Sequence, residues 1–196
     1  MDETSQKIIK ATMELIRDKG YATTTTKEIA HAAGVNECTL FRKFDGKKDI
    51  VLQGIAQVEW RANISADMFE QVEWDLKKDL TMFLRAYMER MTPDFVKLSI
   101  GLRAPQIYEE TAPYIQMVPQ AFLTALADYL RKMEEKGKIG SMDFDAVTLN
   151  FFSAAFGYSY LTASFGKEFV GVEQEAYIQN TVAIYQKGLE KGFADS

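Results

Sequence analysis

The sequence predicts an all-α protein, a three-helix head carrying a helix-turn-helix followed by a helical bundle, with about nine helices in all. Three observations carry this. Apolar residues recur at three- and four-residue steps through most of the chain, only 12 Gly and 4 Pro interrupt its 196 residues, and residues 25–49 read as two short helices hinged at Gly34. The expected division assigns residues 1–47 to the head and 48–196 to a ligand-binding and dimerisation bundle.

The first helix is expected over about residues 4–19, where Ile8, Ala11, Thr12, Leu15 and Ile16 share a side and Gly20 ends the run. It braces the next two, which bury too little apolar surface alone. Thr25 and Glu28 stand three apart ahead of Ile29, the spacing of a capping box that starts a helix. Gly34 supplies the positive φ that stops this helix and turns the chain. Asn36 then caps a third helix, with Leu40, Phe41 and Phe44 expected on its buried side. Two helices joined in this way place the second in the major groove of DNA. The expected DNA contacts are Thr25, Asn36, Glu37, Cys38, Thr39, Arg42, Lys43 and Lys47. Glu37 and Cys38 fall nearest the bases, and Thr25 and Lys47 on phosphates, although the Thr25 hydroxyl reads equally well as a cap alone.

The net charge of −5 argues against nucleic acid until it is divided by position. Residues 1–50 hold 9 Lys and Arg against 8 Asp and Glu, whereas residues 51–196 hold 14 against 20. The local cluster of Arg42, Lys43, Lys47 and Lys48 matters more, because phosphate affinity comes from cations within contact range.

The run IAHAAGVNECTLFRKFDGKKDI resembles the N-terminal signature of the tetracycline-repressor (TetR) family of bacterial transcription regulators. Thr25 leads the helix, Ala33-Gly34-Val35 forms the turn, and Thr39-Leu40-Phe41, Phe44 and Lys47 follow in the family's order. The match covers the first quarter of the chain. Three places depart from the pattern. Phe41 and Lys43 stand where such proteins commonly carry a Tyr and another aromatic or His, which exchanges a phenolic phosphate contact for an ammonium one, and Cys38 takes a place usually held by Gly or Ala. The resemblance implies a fourth helix, beginning at Lys47, that carries ligand-induced movement to the head. It also implies repression relieved by a ligand, while the residues themselves equally allow activation.

The fourth helix is expected to run through Ile50, Val51, Ile55, Val58 and Trp60 toward Ser65. Residues 72–91 are amphipathic, and Pro93 is placed to open the next helix at its first turn. RAPQIYEETAPY reads as broken structure with a short helix around residues 106–110, bordering a cavity or making a plain connection. A long helix is expected over about 117–136, another from Asp143 or Asp145 to Gly166, and a last one through Leu189.

NFFSAAFGYSYLTASF is apolar or small around most of its circumference, which suits either a homodimer face or a central buried helix. The candidate interface residues are Ser153, Ala154, Gly157, Ile178, Val182, Tyr185 and Leu189. Candidate lining residues for an apolar or aromatic effector are Trp60, Met82, Phe83, Tyr87, Met91, Phe122, Phe152, Phe156 and Tyr160. Arg103 is placed either to meet a ligand carboxylate or simply to face solvent.

His31 and Cys38 are the only residues of their types, so no catalytic triad or His/Cys metal cluster can be assembled. No enzyme activity, metal or cofactor is expected. No apolar run reaches the length of a membrane helix, and the polar start MDETSQK is unlike a signal peptide. The expected function is a ligand-responsive homodimeric regulator of double-stranded operator DNA in the cytoplasm, most simply a repressor on a palindromic site. The alternative is a ligand-independent, constitutive or architectural DNA-binding protein.

Overall fold

The computed structural model describes residues 1–57 and 71–191. Ten α-helices lie among them: α1 (Glu3–Lys19), α2 (Thr26–Ala32), α3 (Glu37–Lys43), α4 (Lys47–Ile55), α5 (Leu76–Arg90), α6 (Pro93–Gly101), α7 (Tyr108–Glu135), α8 (Phe144–Phe165), α9 (Lys167–Val170) and α10 (Gln174–Lys191). The described residues contain no strand and no helix long and apolar enough to cross a membrane. The expected continuation of α4 through Val58 and Trp60 lies outside them.

Two compact units divide the chain, one of residues 1–62 with 94–117, the other of residues 63–93 with 118–196. These limits differ from a division at residue 47/48, which concerns what each part does rather than how it packs.

In the first unit Ile8, Ile9, Met13 and Ile16 of α1 meet Ile29 and Ala30 of α2, Leu40 of α3, and Ile50, Val51 and Ile55 of α4 in one core. Leu98, Leu102 and Ile107, distant in sequence, complete it. The approach is close at Gly101, where an added Cβ would lie 2.5 Å from the Ile16 carbonyl oxygen. Only glycine fits there. The Tyr21 N–H donates to the Gly101 carbonyl at 3.3 Å beside it.

In segment 103–114 the break falls at Pro105 alone, in the turn between α6 and α7, whereas Pro113 lies inside a helix, which corrects the expectation of broken structure through residue 114 and of a short helix around residues 106–110. The helix α7 starts at Tyr108 and continues through Pro113 and Pro119. The buried Ile107 carbonyl accepts the Glu110 and Thr111 amides at 3.2 and 3.0 Å, and the Thr111 hydroxyl donates to the Leu102 carbonyl at 2.8 Å. Each proline removes one N–H from the helical ladder. At Pro113 the carbonyl left without that donor belongs to Glu109, and both residues are exposed, so the group is open to solvent.

The second unit is built on α5, the part of α7 from Val118, α8 and α10, with Leu80, Phe83, Leu84, Phe122, Leu126, Tyr129, Phe151, Ile178 and Val182 in its core. Asp143 caps α8, accepting the Ala146 N–H at 3.0 Å, and Gly166 ends it, as the sequence predicts. The short α9 was not expected. Asp79, also buried, accepts the Tyr129 hydroxyl and the Glu73 amide, both at 2.9 Å, so both of its carboxyl oxygens are hydrogen-bonded inside the core.

Candidate nucleic-acid interface

Local hydrogen bonds build the reading head. The Glu28 N–H donates to Thr25 Oγ1 at 3.3 Å while Glu28 Oε2 accepts the Thr25 N–H at 2.9 Å, closing the expected capping box. At the far end of α2, Gly34 takes φ +69°, and the Val35 N–H returns to the Ala30 carbonyl at 2.9 Å. Asn36 Oδ1 then accepts the Thr39 N–H at 2.8 Å and starts α3.

With two turns, α3 has room for a narrow buried stripe, and Leu40 and Phe44 fill it four residues apart. Phe41 is 55% exposed, which corrects its placement on the buried side. It falls about 100° round the helix from Leu40 and shares an outer face with Cys38 and Arg42, both exposed. Leu40, Phe41 and Phe44 span only about 100° of the helix, an ordinary width for a buried stripe, so spacing alone does not single out Phe41.

Of the remaining expected contacts, Thr39 is half-buried, and the others are already engaged. Thr25 and Asn36 serve as caps, and Glu37 Oε1 accepts the Thr26 hydroxyl at 2.9 Å. Lys43 Nζ donates to Asp2 Oδ2 at 2.7 Å, a partner 41 residues away that no local pattern reveals. Its ammonium, helped by the Ser5 N–H, pulls the Asp2 carboxyl down to about 2. Lys19 and Thr25 bring Glu28 down likewise to about 2.

Lys47 was expected on phosphates, but its ammonium turns inward. It donates to the carbonyls of Tyr21 and Thr24 at 2.6 and 2.5 Å and lies 4.0 Å from the centre of the Tyr21 ring. Burial, with Lys19 nearby, lowers its pKa from the ordinary lysine value. Lys48 pairs with Glu110. Of the four cations in the cluster, Arg42 alone has no carboxylate or carbonyl partner among the described residues.

The effector candidates separate into groups. Trp60 lies outside the described residues, and Arg103 is exposed in the first unit, whereas the other candidates belong to the second. Met82 lines a groove with Lys78, Arg85 and Gln179, away from the rings. Met91 is buried at the end of α5.

Phe83, Tyr87, Phe122, Phe152, Phe156 and Tyr160 do come together in one succession of rings. Phe122 stands 6.3 Å from Phe83, 5.1 Å from Tyr87 and 5.9 Å from Phe152, and Phe156 stands 6.0 Å from Phe152 and 5.9 Å from the exposed Tyr160. Tyr87 is 1% exposed, and its hydroxyl has no hydrogen-bond partner among the described residues. Burial raises the phenol pKa far above its ordinary range.

Of the dimer candidates, Ser153 is exposed and Ala154, Gly157 and Tyr185 are half-buried. Ile178, Val182 and Leu189 are not on a free face, since all three are buried in their own unit. The helical stripe was read correctly, but its inner side was taken for the outer one. The apolar residues left exposed are others, among them Leu149 at 55% and Ile184 at 69%.

A helix-turn-helix seated on its own apolar core, with Cys38, Phe41 and Arg42 outward, defines a DNA-binding protein. Residues 8–53 match the family model for bacterial regulatory proteins of the tetR family. The chain is 32% identical to the HTH-type transcriptional regulator YvkB of Bacillus subtilis over 189 residues, 96% of this chain and 98% of that one. It is 27% identical over 172 residues to IcaR, the HTH-type negative transcriptional regulator of the biofilm operon icaADBC in Staphylococcus aureus, covering 86% and 88% of the two chains. NalD, the secondary repressor of the MexAB-OprM multidrug efflux pump in Pseudomonas aeruginosa, shares the fold with a TM-score of 0.71 over 98% of each chain, at 16% identity. The chain belongs to the TetR family and is a transcriptional regulator rather than an enzyme.

Proposed function

We propose that the chain is a homodimeric cytoplasmic repressor, released from a palindromic operator by a small apolar or aromatic molecule. One observation carries the ligand-responsive part, the unpartnered Tyr87 hydroxyl among the rings of the second unit. A buried hydroxyl without a partner costs free energy that a ligand's polar group can recover, while the surrounding rings accept its apolar body. Residues 1–47 read DNA and residues 48–196 bind the effector and pair the subunits. Glu37, Cys38 and Thr39 face the bases, Arg42 and Lys43 reach phosphates, and Lys47 braces the head. That IcaR is named a negative regulator supports the sign.

Exposed Leu149 and Ile184 support pairing through α8 and α10 of two copies. A two-fold axis then spaces the recognition helices about 34 Å apart, or a multiple of that. The effector acts by binding the DNA-incompetent spacing more tightly. A hundredfold preference corresponds to about 2.7 kcal/mol of coupling.

A gel shift on the DNA upstream of the chain's own coding sequence, run against a panel of apolar and aromatic compounds, tests the reading. Release by one compound, whose own affinity the DNA lowers by the same factor, is expected. Sedimentation of the free protein should give a dimer, and Ile184→Glu a folded monomer. A tightly bound compound indifferent to DNA would leave the ligand-independent alternative standing, and a wild-type monomer would remove the two-fold reading.

A further inference from the structure

We propose that Asp2 sets the affinity of the head for DNA, its carboxylate occupying Lys43 in the place a phosphate would take. The proposal rests on the reading that α3 faces DNA. Two oxygens of one side chain do separate work. Asp2 Oδ1 accepts the Ser5 N–H at 2.9 Å and caps α1, while Oδ2 accepts the Lys43 ammonium at 2.7 Å. Lys43 closes the last turn of α3, one residue from the exposed Arg42, so the pair stands at the edge of the reading face.

An ammonium donates to a carboxylate oxygen or a phosphate oxygen with the same geometry, and both are anionic acceptors without a donor. Free protein therefore presents Lys43 already neutralised. Its pair is open to water, with side-chain exposures of 21% for Lys43 and 59% for Asp2. An exposed ion pair is weak enough to exchange for another anion. DNA approaching this edge has to displace the Asp2 carboxylate or accept its repulsion, and either lowers the affinity. A purely structural role, in which the pair fastens the start of α1 to the end of α3, leads to the opposite sign, since its loss would loosen α3 and weaken binding.

Asp2→Asn separates the two jobs. The amide oxygen still caps α1, and the charge that holds Lys43 is gone. Asp2→Ser, a second neutral cap, guards against an effect particular to the amide. The probe is a random-sequence duplex of about 30 base pairs, long enough for two half-sites, because phosphate competition needs no operator. Anisotropy titrations over a salt series compare the wild type, both Asp2 variants, Lys43→Ala, the Asp2→Asn/Lys43→Ala double variant and Arg42→Ala, each checked for folding by circular dichroism. The Asp2 variants are expected to bind about two- to fivefold more tightly at low salt. The slope of log affinity against log salt should steepen by up to about one. In the Lys43→Ala background the gain from Asp2→Asn should shrink. Unchanged or weaker binding by both Asp2 variants, with Arg42→Ala impaired, overturns the proposal and leaves the DNA-facing reading intact. If Arg42→Ala is also without effect, the placement of α3 on DNA fails instead.

Discussion

Helices α3 and α8 each bury one side, yet their free sides are opposite in chemistry. On α3 the seven residues turn Leu40 inward, and two polar side chains are bound to other parts of the head, Glu37 to Thr26 and Lys43 to Asp2, while the Asn36 cap holds its own helix. On α8 the 22 residues bury Phe151, Ala155 and Tyr158 and leave Leu149, Leu161 and Phe165 in solvent. A surface of paired charges exchanges partners with another charged surface, as DNA is, whereas an apolar one loses water only against another apolar face.

The largest expected effect tests the two sides of α3 against each other. Leu40→Ala should cost about 2–5 kcal/mol in chemical denaturation, the range for emptying a fully buried leucine site. Phe41→Ala should stay within about 0.5 kcal/mol, because a substitution on an exposed face removes little packing, while impairing DNA binding. Equal losses of stability would mean that Phe41 belongs to the core in solution. Next in size is Tyr87→Phe. Deleting a buried hydroxyl that lacks a partner should stabilise the ligand-free protein by about 1 kcal/mol, and the same change should weaken a polar effector. Destabilisation would show that the hydroxyl already has a partner, such as an ordered water.

The smallest effect concerns acid. Ion pairs and amide donors lower Asp2 and Glu28 to about 2 from ordinary values of 3.8 and 4.5. Their stabilisation is thus complete above the ordinary values and is lost as pH falls toward about 2. The melting temperature should decline through that window, and the Asp2→Asn/Glu28→Gln variant, which keeps both caps, should decline less.

What was legible in the sequence was local. Thr25 with Glu28, Gly34 and Asn36 act within five residues of themselves, so spacing alone located the turn and both helix starts. Phe41 is misplaced by spacing because it lies within about 100° of Leu40 and Phe44, an ordinary width for a buried stripe, and only the packed head leaves it outside. The first turns of α7, ahead of the expected start near residue 117, escape the sequence for a different reason. Pro113 reads as a break, while the bond from Thr111 to the Leu102 carbonyl, made by folding back, gives no sequence signal. The same holds for Lys43 and Lys47, whose charges announce phosphate contacts until Asp2 and the carbonyls of Tyr21 and Thr24 are found beside them. On α10, periodicity gave the stripe of Ile178, Val182 and Leu189 but not which way it turned.

The core that Leu98, Leu102 and Ile107 complete also orders events during biosynthesis. Residues 1–62 leave the ribosome before residues 94–117, so α1 to α4 emerge with one side of their core uncovered, and the close fit at Gly101 waits for a later stretch of chain. Contacts across such sequence separations form slowly, and exposed apolar surface invites aggregation meanwhile. The reading head is therefore the first part to be made but not the first able to finish folding, and a gene truncated after residue 62 should yield a chain that cannot hold its helix-turn-helix in place.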